Sequence, residues 1–280
     1  MTLERELDVA RIAALEAAAL VLRYRGTALT VDTKTGDEPV TVADREASAL
    51  ILTHLARAFP RDSLLSEEVP DDGARLRESR VWMVDPIDGT RDFIDGDTGF
   101  CVMIGLCIDG RPRLGVVAVP ATGELFGATL DGNGKGSAFR EGPDHVRTNL
   151  TTSTLAAPPG IRLVASKSHR TRDVDTFRRA LAIEDEINVG SIGVKVAMVA
   201  DARRDLYVYP GSRTKIWDTC APEAILLGAG GNMTDVRGQP LRYTDPDLMN
   251  RHGIVASNGP LHDRVLEALA GLIGQRQLPG

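Results

Sequence analysis

The stretch from Val81 to Phe93, VWMVDPIDGTRDF, constrains this chain more than any other. Its first four residues read as a buried β-strand, and the next six contain two aspartates, a proline, a glycine and a threonine. The fold must therefore bring the end of a core strand to a polar site. Two carboxylates that close repel each other unless a cation stands between them, and the chain supplies no such partner locally, so the obvious candidate is a metal ion. Asp85 and Asp88 lie in a turn that Pro86 and Gly89 can hold tight, with both carboxylates facing one point. Hard oxygen ligands of this kind suit Mg²⁺. The following GTRDF reads as the start of a short helix, where Thr90 can cap and free backbone N–H groups can receive a phosphate. On local evidence alone, an ordinary Asp/Pro/Gly turn with Thr90 as a plain cap fits as well.

Charge narrows the partner. Lys and Arg total 33 against 39 Asp and Glu, a net charge of -6, which lacks the basic footprint that a nucleic-acid polymer requires. A small anionic substrate remains open if metals supply the local positive charge. The 280 residues, 42% of them hydrophobic, suit one large domain or two closely packed subdomains. Cys101, Cys107 and Cys220 are odd in number and lack Cys-x-x-Cys spacing, so they read as buried thiols in a reducing cytosol. The first 24 residues carry acids and bases throughout and fit neither a signal peptide nor a membrane span, and no other segment is long and apolar enough to span a bilayer. The expectation is a cytoplasmic protein, monomer or homodimer.

Leu3, Leu7, Ala10, Ala14, Leu15, Ala18, Val21 and Leu22 recur at helical spacing, and a second helix runs from about Asp44 to Phe59. From Ser63 to Phe126 short β-rich runs separated by tight turns suggest an antiparallel sheet. The polar, proline-containing TNLTTSTLAAPPG makes the best boundary, near residue 155. Residues 1–155 then form helices plus an antiparallel sheet carrying most metal ligands. Residues 156–280, where strands and helices alternate, form an α/β subdomain with a mostly parallel sheet that completes the site. The layers run helices, antiparallel sheet, helices, second sheet, helices, an αβαβα sandwich.

Other candidates are ambiguous by themselves. Glu67 and Glu68 end an extended run, so they point oppositely and one alone is a ligand, or both are simply solvated. Asp218 opens a helix behind Trp217 and is either an N-cap or a ligand. Thr41 and Asp44 have capping-box spacing, which explains Asp44 without catalysis. Ser166, Ser168 and His169 follow a strand in a loop, where a lone His is ordinarily just exposed. Ser191 and Lys195 open a helix, where a solvated Lys is the default.

Together the motifs are no longer local. PVTVAD at 39–44, EE at 67–68, VDPIDGT at 84–90 and WDTCAPEAILLGAGG at 217–231 follow the order and approximate spacing of the inositol-monophosphatase-like superfamily of metal-dependent, lithium-sensitive phosphatases. The chain resembles that superfamily over nearly its whole length, down to SNGPLHDRVLEAL at 257–269. Within it, DGTRDFIDG, SKSH and MTDVRGQPLRY look most like the 3'(2'),5'-bisphosphate nucleotidases, which remove the 3'-phosphate of 3'-phosphoadenosine 5'-phosphate, a by-product of sulfate metabolism. Arg91 stands where many of these have Lys, and Ser191 where some have Gly.

The resemblance implies that Glu67, Asp85, Ile87 (through its carbonyl), Asp88 and Asp218 hold two to three Mg²⁺ ions. Gly89 and Thr90 would hold the phosphate through backbone N–H groups, and Asp44 with Thr90 would orient and help deprotonate the attacking water. Asp218 and, on the rim above the metals, Ser166, Ser168, His169, Ser191 and Lys195 would contact the nucleotide. The expected reaction is direct in-line hydrolysis of a phosphomonoester by metal-activated water. Haloacid-dehalogenase-like phosphatases also pair aspartates before Gly-Thr, but theirs are separated by one residue and here by two. An inositol-1-monophosphatase or related sugar-phosphate phosphatase is the alternative, and a non-catalytic phosphate-ligand sensor the remote one.

Overall fold

The computed structural model describes residues 2–27, 31–34, 38–168 and 172–276. Its outermost layer is a helix pair. α1 (Glu4–Tyr24) buries Ala10, Ala13, Ala14 and Ala17, small side chains that let a neighbouring helix lie close, and α2 (Val42–Ala58) packs there. Thr41 starts α2 by the expected capping box: Ala43 N–H donates to the Thr41 hydroxyl at 3.2 Å, and Thr41 N–H donates to the Asp44 carboxylate at 2.8 Å. The short hairpin β1 (Val31–Lys34) and β2 (Glu38–Thr41) leads into it.

Beneath the helices lies a seven-stranded sheet in chain order: β3 (Ser63–Ser66), β4 (Arg80–Asp88), β5 (Cys101–Ile108), β6 (Arg111–Val119), β7 (Glu124–Leu130), β8 (Gly136–Glu141) and β9 (Arg147–Asn149). Its ladders are antiparallel except β3 with β4, which a longer crossover joins in parallel. The short α3 (Thr90–Ile94) follows β4 directly.

After the irregular stretch that contains residue 155 come β10 (Arg162–Ser166), α4 (Arg172–Ala180), β11 (Asp185–Val189), α5 (Ile192–Ala200), β12 (Leu206–Tyr209), α6 (Trp217–Gly228), β13 (Asn232–Thr234), β14 (Ile254–Ser257) and α7 (His262–Arg276). Their sheet has the order β11-β10-β12-β14-β13. The β10–β11 and β10–β12 ladders are parallel, as strand–helix alternation dictates, whereas β12–β14 and β13–β14 are antiparallel, so this sheet is mixed. α5 lies between the sheets, and α6, packed on the first, faces the second across the same apolar core. α4 and α7 cover the far face, which completes αβαβα. Helices from beyond residue 155 thus share a core with the first sheet. Among the described residues no helix is long and apolar enough to cross a membrane.

Candidate active site

In a regular strand, residues three apart point to opposite faces. Asp85 and Asp88 escape this because β4 does not stop at Asp85. It runs on to Asp88, and its register against β5 shifts between the Asp85–Met103 and Asp88–Cys101 pairs. One extra residue on β4 makes a β-bulge where the sequence suggested a turn, and a bulge re-aims side chains. Both aspartates line one cavity of about 470 Å³, with Glu67, Ile87, Gly89, Thr90 and Asp218.

Each acid is aimed by its own element. Ile87 N–H donates to Asp85 Oδ1 at 3.1 Å. Asp88 Oδ2 accepts from the Ser191 hydroxyl at 2.6 Å and from Gly193 N–H at 2.8 Å, both at the start of α5. Asp218, in the first turn of α6, accepts Lys215 N–H at 2.8 Å through Oδ2. Glu67 follows β3 and is anchored by its N–H on Val84 O at 3.1 Å. Glu68 does not line the cavity, and its charge acts on the Arg45 guanidinium instead. Of the two adjacent glutamates, Glu67 is the one that lines the cavity.

Thr90 does not cap α3. Gly89 holds the N-cap position at φ 90°, a left-handed conformation that suits glycine, and a Cβ there would stand 2.8 Å from Gly99 O. The Thr90 hydroxyl turns back, donating to Ile87 O at 3.0 Å and lying 3.4 Å from Asp44 Oδ1. Asp44 is buried and serves two masters, the α2 cap and this contact.

Burial pushes the Asp85 carboxyl well above the ordinary carboxylate range, and the charges of Glu67, Asp88, Asp218 and Asp44 push it further. Asp218 is raised for the same reasons, first burial and then Asp88 and Glu67. Asp88 is raised less, because Lys195, Ser191 and Gly193 oppose its burial. Oxygen donors buried together against their own repulsion are a set that a hard dication would relieve, so the residues fit Mg²⁺. Among the described residues, no three acidic, histidine or cysteine side chains stand close enough to hold one ion as they are. They ring the cavity, as like charges do.

Ser166 and Ser168 line the cavity, while His169 lies outside the described residues. Ser191 and Lys195 are not on the rim; both are fully buried. Ser191 caps α5 and holds Asp88. The Lys195 ammonium donates to Val189 O at 3.2 Å and Gly190 O at 2.6 Å and lies 5.1 Å from the Tyr207 ring centroid. Burial pulls its pKa down to about 8. The reason is architectural: the solvated-lysine default presumes an outer face, and a helix between two sheets has none.

Sequence reading missed Arg213, Thr214 and Lys215, which line the cavity from the segment before α6. Their place in a strand-to-helix connection directly ahead of the Trp-Asp pair was the available signal. Thr214 is buried and its hydroxyl has no hydrogen-bond partner.

Residues 2–273 match the family model described as the inositol monophosphatase family. The 3'-phosphoadenosine 5'-phosphate phosphatase of Mycobacterium bovis is 34% identical over 231 residues, 76% of this chain and 78% of that protein. The 3'(2'),5'-bisphosphate nucleotidase CysQ of Escherichia coli K12 is 34% identical over 240 residues, 85% of this chain and 93% of that one. Among solved structures, the Thermotoga maritima IMPase superposes with TM-score 0.81 at 26% identity, covering 97% of this chain and 99% of its own. CysQ from Bacteroides thetaiotaomicron superposes with TM-score 0.73 at 28% identity, covering 91% and 98%.

Proposed function

This chain belongs to the inositol monophosphatase family, and from that premise we propose that it is a Mg²⁺-dependent 3'(2'),5'-bisphosphate nucleotidase, hydrolysing 3'-phosphoadenosine 5'-phosphate to AMP and phosphate. The observation that carries the chemistry is the meeting of Glu67, Asp85, Asp88 and Asp218 on one cavity beside Gly89 and Thr90. The substrate choice rests on the relatives that bear this activity in their names.

Glu67, Asp85, Asp88, Asp218 and the Ile87 carbonyl would hold two to three ions. Such ions, when bound, acidify water and neutralise phosphate oxygens. Gly89 and Thr90 would bind the phosphate through their N–H groups. Asp44 and the Thr90 hydroxyl, 3.4 Å apart, would orient the attacking water and help take its proton. Attack forms one P–O bond as the bond to the ribose 3'-oxygen breaks, and that oxygen leaves with a proton. Ser166 and Ser168, together with His169, which lies outside the described residues, would contact the nucleotide. Ser191 and Lys195 act on Asp88 from below, as positioning residues.

The test is phosphate release from 3'-phosphoadenosine 5'-phosphate and from inositol 1-phosphate, with and without Mg²⁺. The nucleotide should have a much higher kcat/KM, and release should need the metal and fall with LiCl but not with matched KCl. A preference for inositol 1-phosphate would instead favour the alternative, for which the fit to the Thermotoga maritima IMPase is the supporting observation. Tight nucleotide binding with no phosphate release would favour a sensor.

A further inference from the structure

A lysine stands against the acidic wall at Glu67. Lys215 Nζ lies 4.0 Å from Glu67 Oε1, with the two side chains 21% and 19% exposed, and 5.3 Å from the Trp217 ring centroid. The root of the side chain is strapped down. Lys215 N–H donates to Asp218 Oδ2 at 2.8 Å, and its carbonyl accepts from Asn250 Nδ2 at 2.9 Å. On either side, Asn250 N–H donates to Thr214 O at 2.8 Å and Ile216 N–H donates to Leu248 O at 2.9 Å. With the backbone held, only the flexible stem moves, so the ammonium is tethered to this cavity.

We infer that Lys215 is a built-in competitor of the metal ion for Glu67. Its ammonium neutralises that carboxylate while no ion is bound, gives it up when an ion arrives, and so sets how much free metal the cavity needs. A monovalent, tethered cation beside one acid is displaced by a dication that several acids share, but the exchange weakens the ion's net affinity twice. The Lys215–Glu67 pair is lost, and the ammonium left nearby repels the ion. This rests on the reading of Glu67 as a metal ligand.

Full-length protein stripped with a chelator is titrated with Mn²⁺, followed by calorimetry and by the electron paramagnetic resonance of free Mn²⁺. Loss of one partly exposed ion pair predicts that Lys215→Met binds Mn²⁺ about fivefold more tightly than wild type. Lys215→Arg, which keeps the charge, stays near wild type, and the gain from Lys215→Met shrinks when Glu67 is already Gln. Unchanged or weaker binding in Lys215→Met, or an equal gain in the Glu67→Gln background, overturns the inference while wild-type binding leaves the metal-site reading intact. No Mn²⁺ uptake by wild type overturns both. Circular dichroism checks folding, and Lys215→Gln carries the same comparison if the Met variant does not fold.

Discussion

Glu67 and Glu68 have the same side chain and adjacent positions, yet one lines the cavity and the other acts on Arg45. Glu67→Gln is expected to lower kcat/KM about 100-fold, while Glu68→Gln changes it less than ~3-fold, the difference amounting to about 2 kcal/mol of transition-state stabilisation. Steady-state kinetics on both variants checks this, and equal losses would mean that the wrong glutamate has been assigned. Thr90→Ala removes a hydroxyl that reaches Ile87 O and approaches Asp44, so kcat should fall with KM little changed. A change confined to KM would make Thr90 a binding group. At this scale Asp85 and Asp88 stood out as a pair at the end of a buried strand, but Glu67 and Asp218 were singled out only by the order and spacing of the motifs together. Lys195 was not: a lysine among valines reads as solvated until the helix carrying it is found between two sheets. Nor was Lys215, whose partner Glu67 lies far away in sequence.

Elements aim these residues, and α6 shows how closely. It rides over the bare backbone of β5 and β6 at Gly105 and Gly115, where a Cβ on Gly115 would stand 2.2 Å from Ala221 O. Gly115→Ala must push α6 outward, with an expected cost of about 1–3 kcal/mol. Because α6 carries Asp218, the variant should lose metal affinity as well as thermal stability. A calorimetric titration unaffected by the substitution would separate helix from site. The same helix buries Glu223, which accepts a hydrogen bond from the Tyr243 hydroxyl and whose pKa burial raises from 4.5 to about 7. A carboxyl with a folded pKa above its unfolded value contributes stability that is complete below pH 4.5 and lost as pH climbs through 7. Relative to wild type, Glu223→Gln should therefore gain on the order of 3 kcal/mol between pH 4.5 and pH 8, measured by urea unfolding. A flat difference would mean that folding leaves the Glu223 pKa at its unfolded value. The helices and most strands were legible as periods and turns. The bulge in β4 was not, since one extra residue leaves no mark on an apolar run.

The site exists only when the whole molecule does. Asp44 comes from α2, Glu67 from the end of β3, Asp85 and Asp88 from β4, and Asp218 from α6 across the sheet. Alternating strands and helices made the layers legible, but no period says that these segments meet. Order and spacing of the motifs carried that, through resemblance. Gathering Glu67, Asp85, Asp88 and Asp218 on one cavity, with Asp44 near enough to act on Asp85, stores repulsion, which Asp85 feels from the other four. Charge removal there should therefore stabilise the metal-free fold while destroying the site. Asp85→Asn keeps an oxygen for the Ile87 N–H and nearly the same volume, so repulsion is the main quantity that changes. In chelator at pH 8, its melting temperature should exceed that of wild type by ~2 °C or more, the shift expected for about 1 kcal/mol in a chain of this size. Saturating Mg²⁺ should reverse the order. Wild type gains about 2.7 kcal/mol when free metal is 100 times its dissociation constant, and Asp85→Asn gains little. Differential scanning calorimetry with and without Mg²⁺ reads both halves. A metal-free Asp85→Asn that melts below wild type would show that repulsion on Asp85 does not limit the metal-free fold.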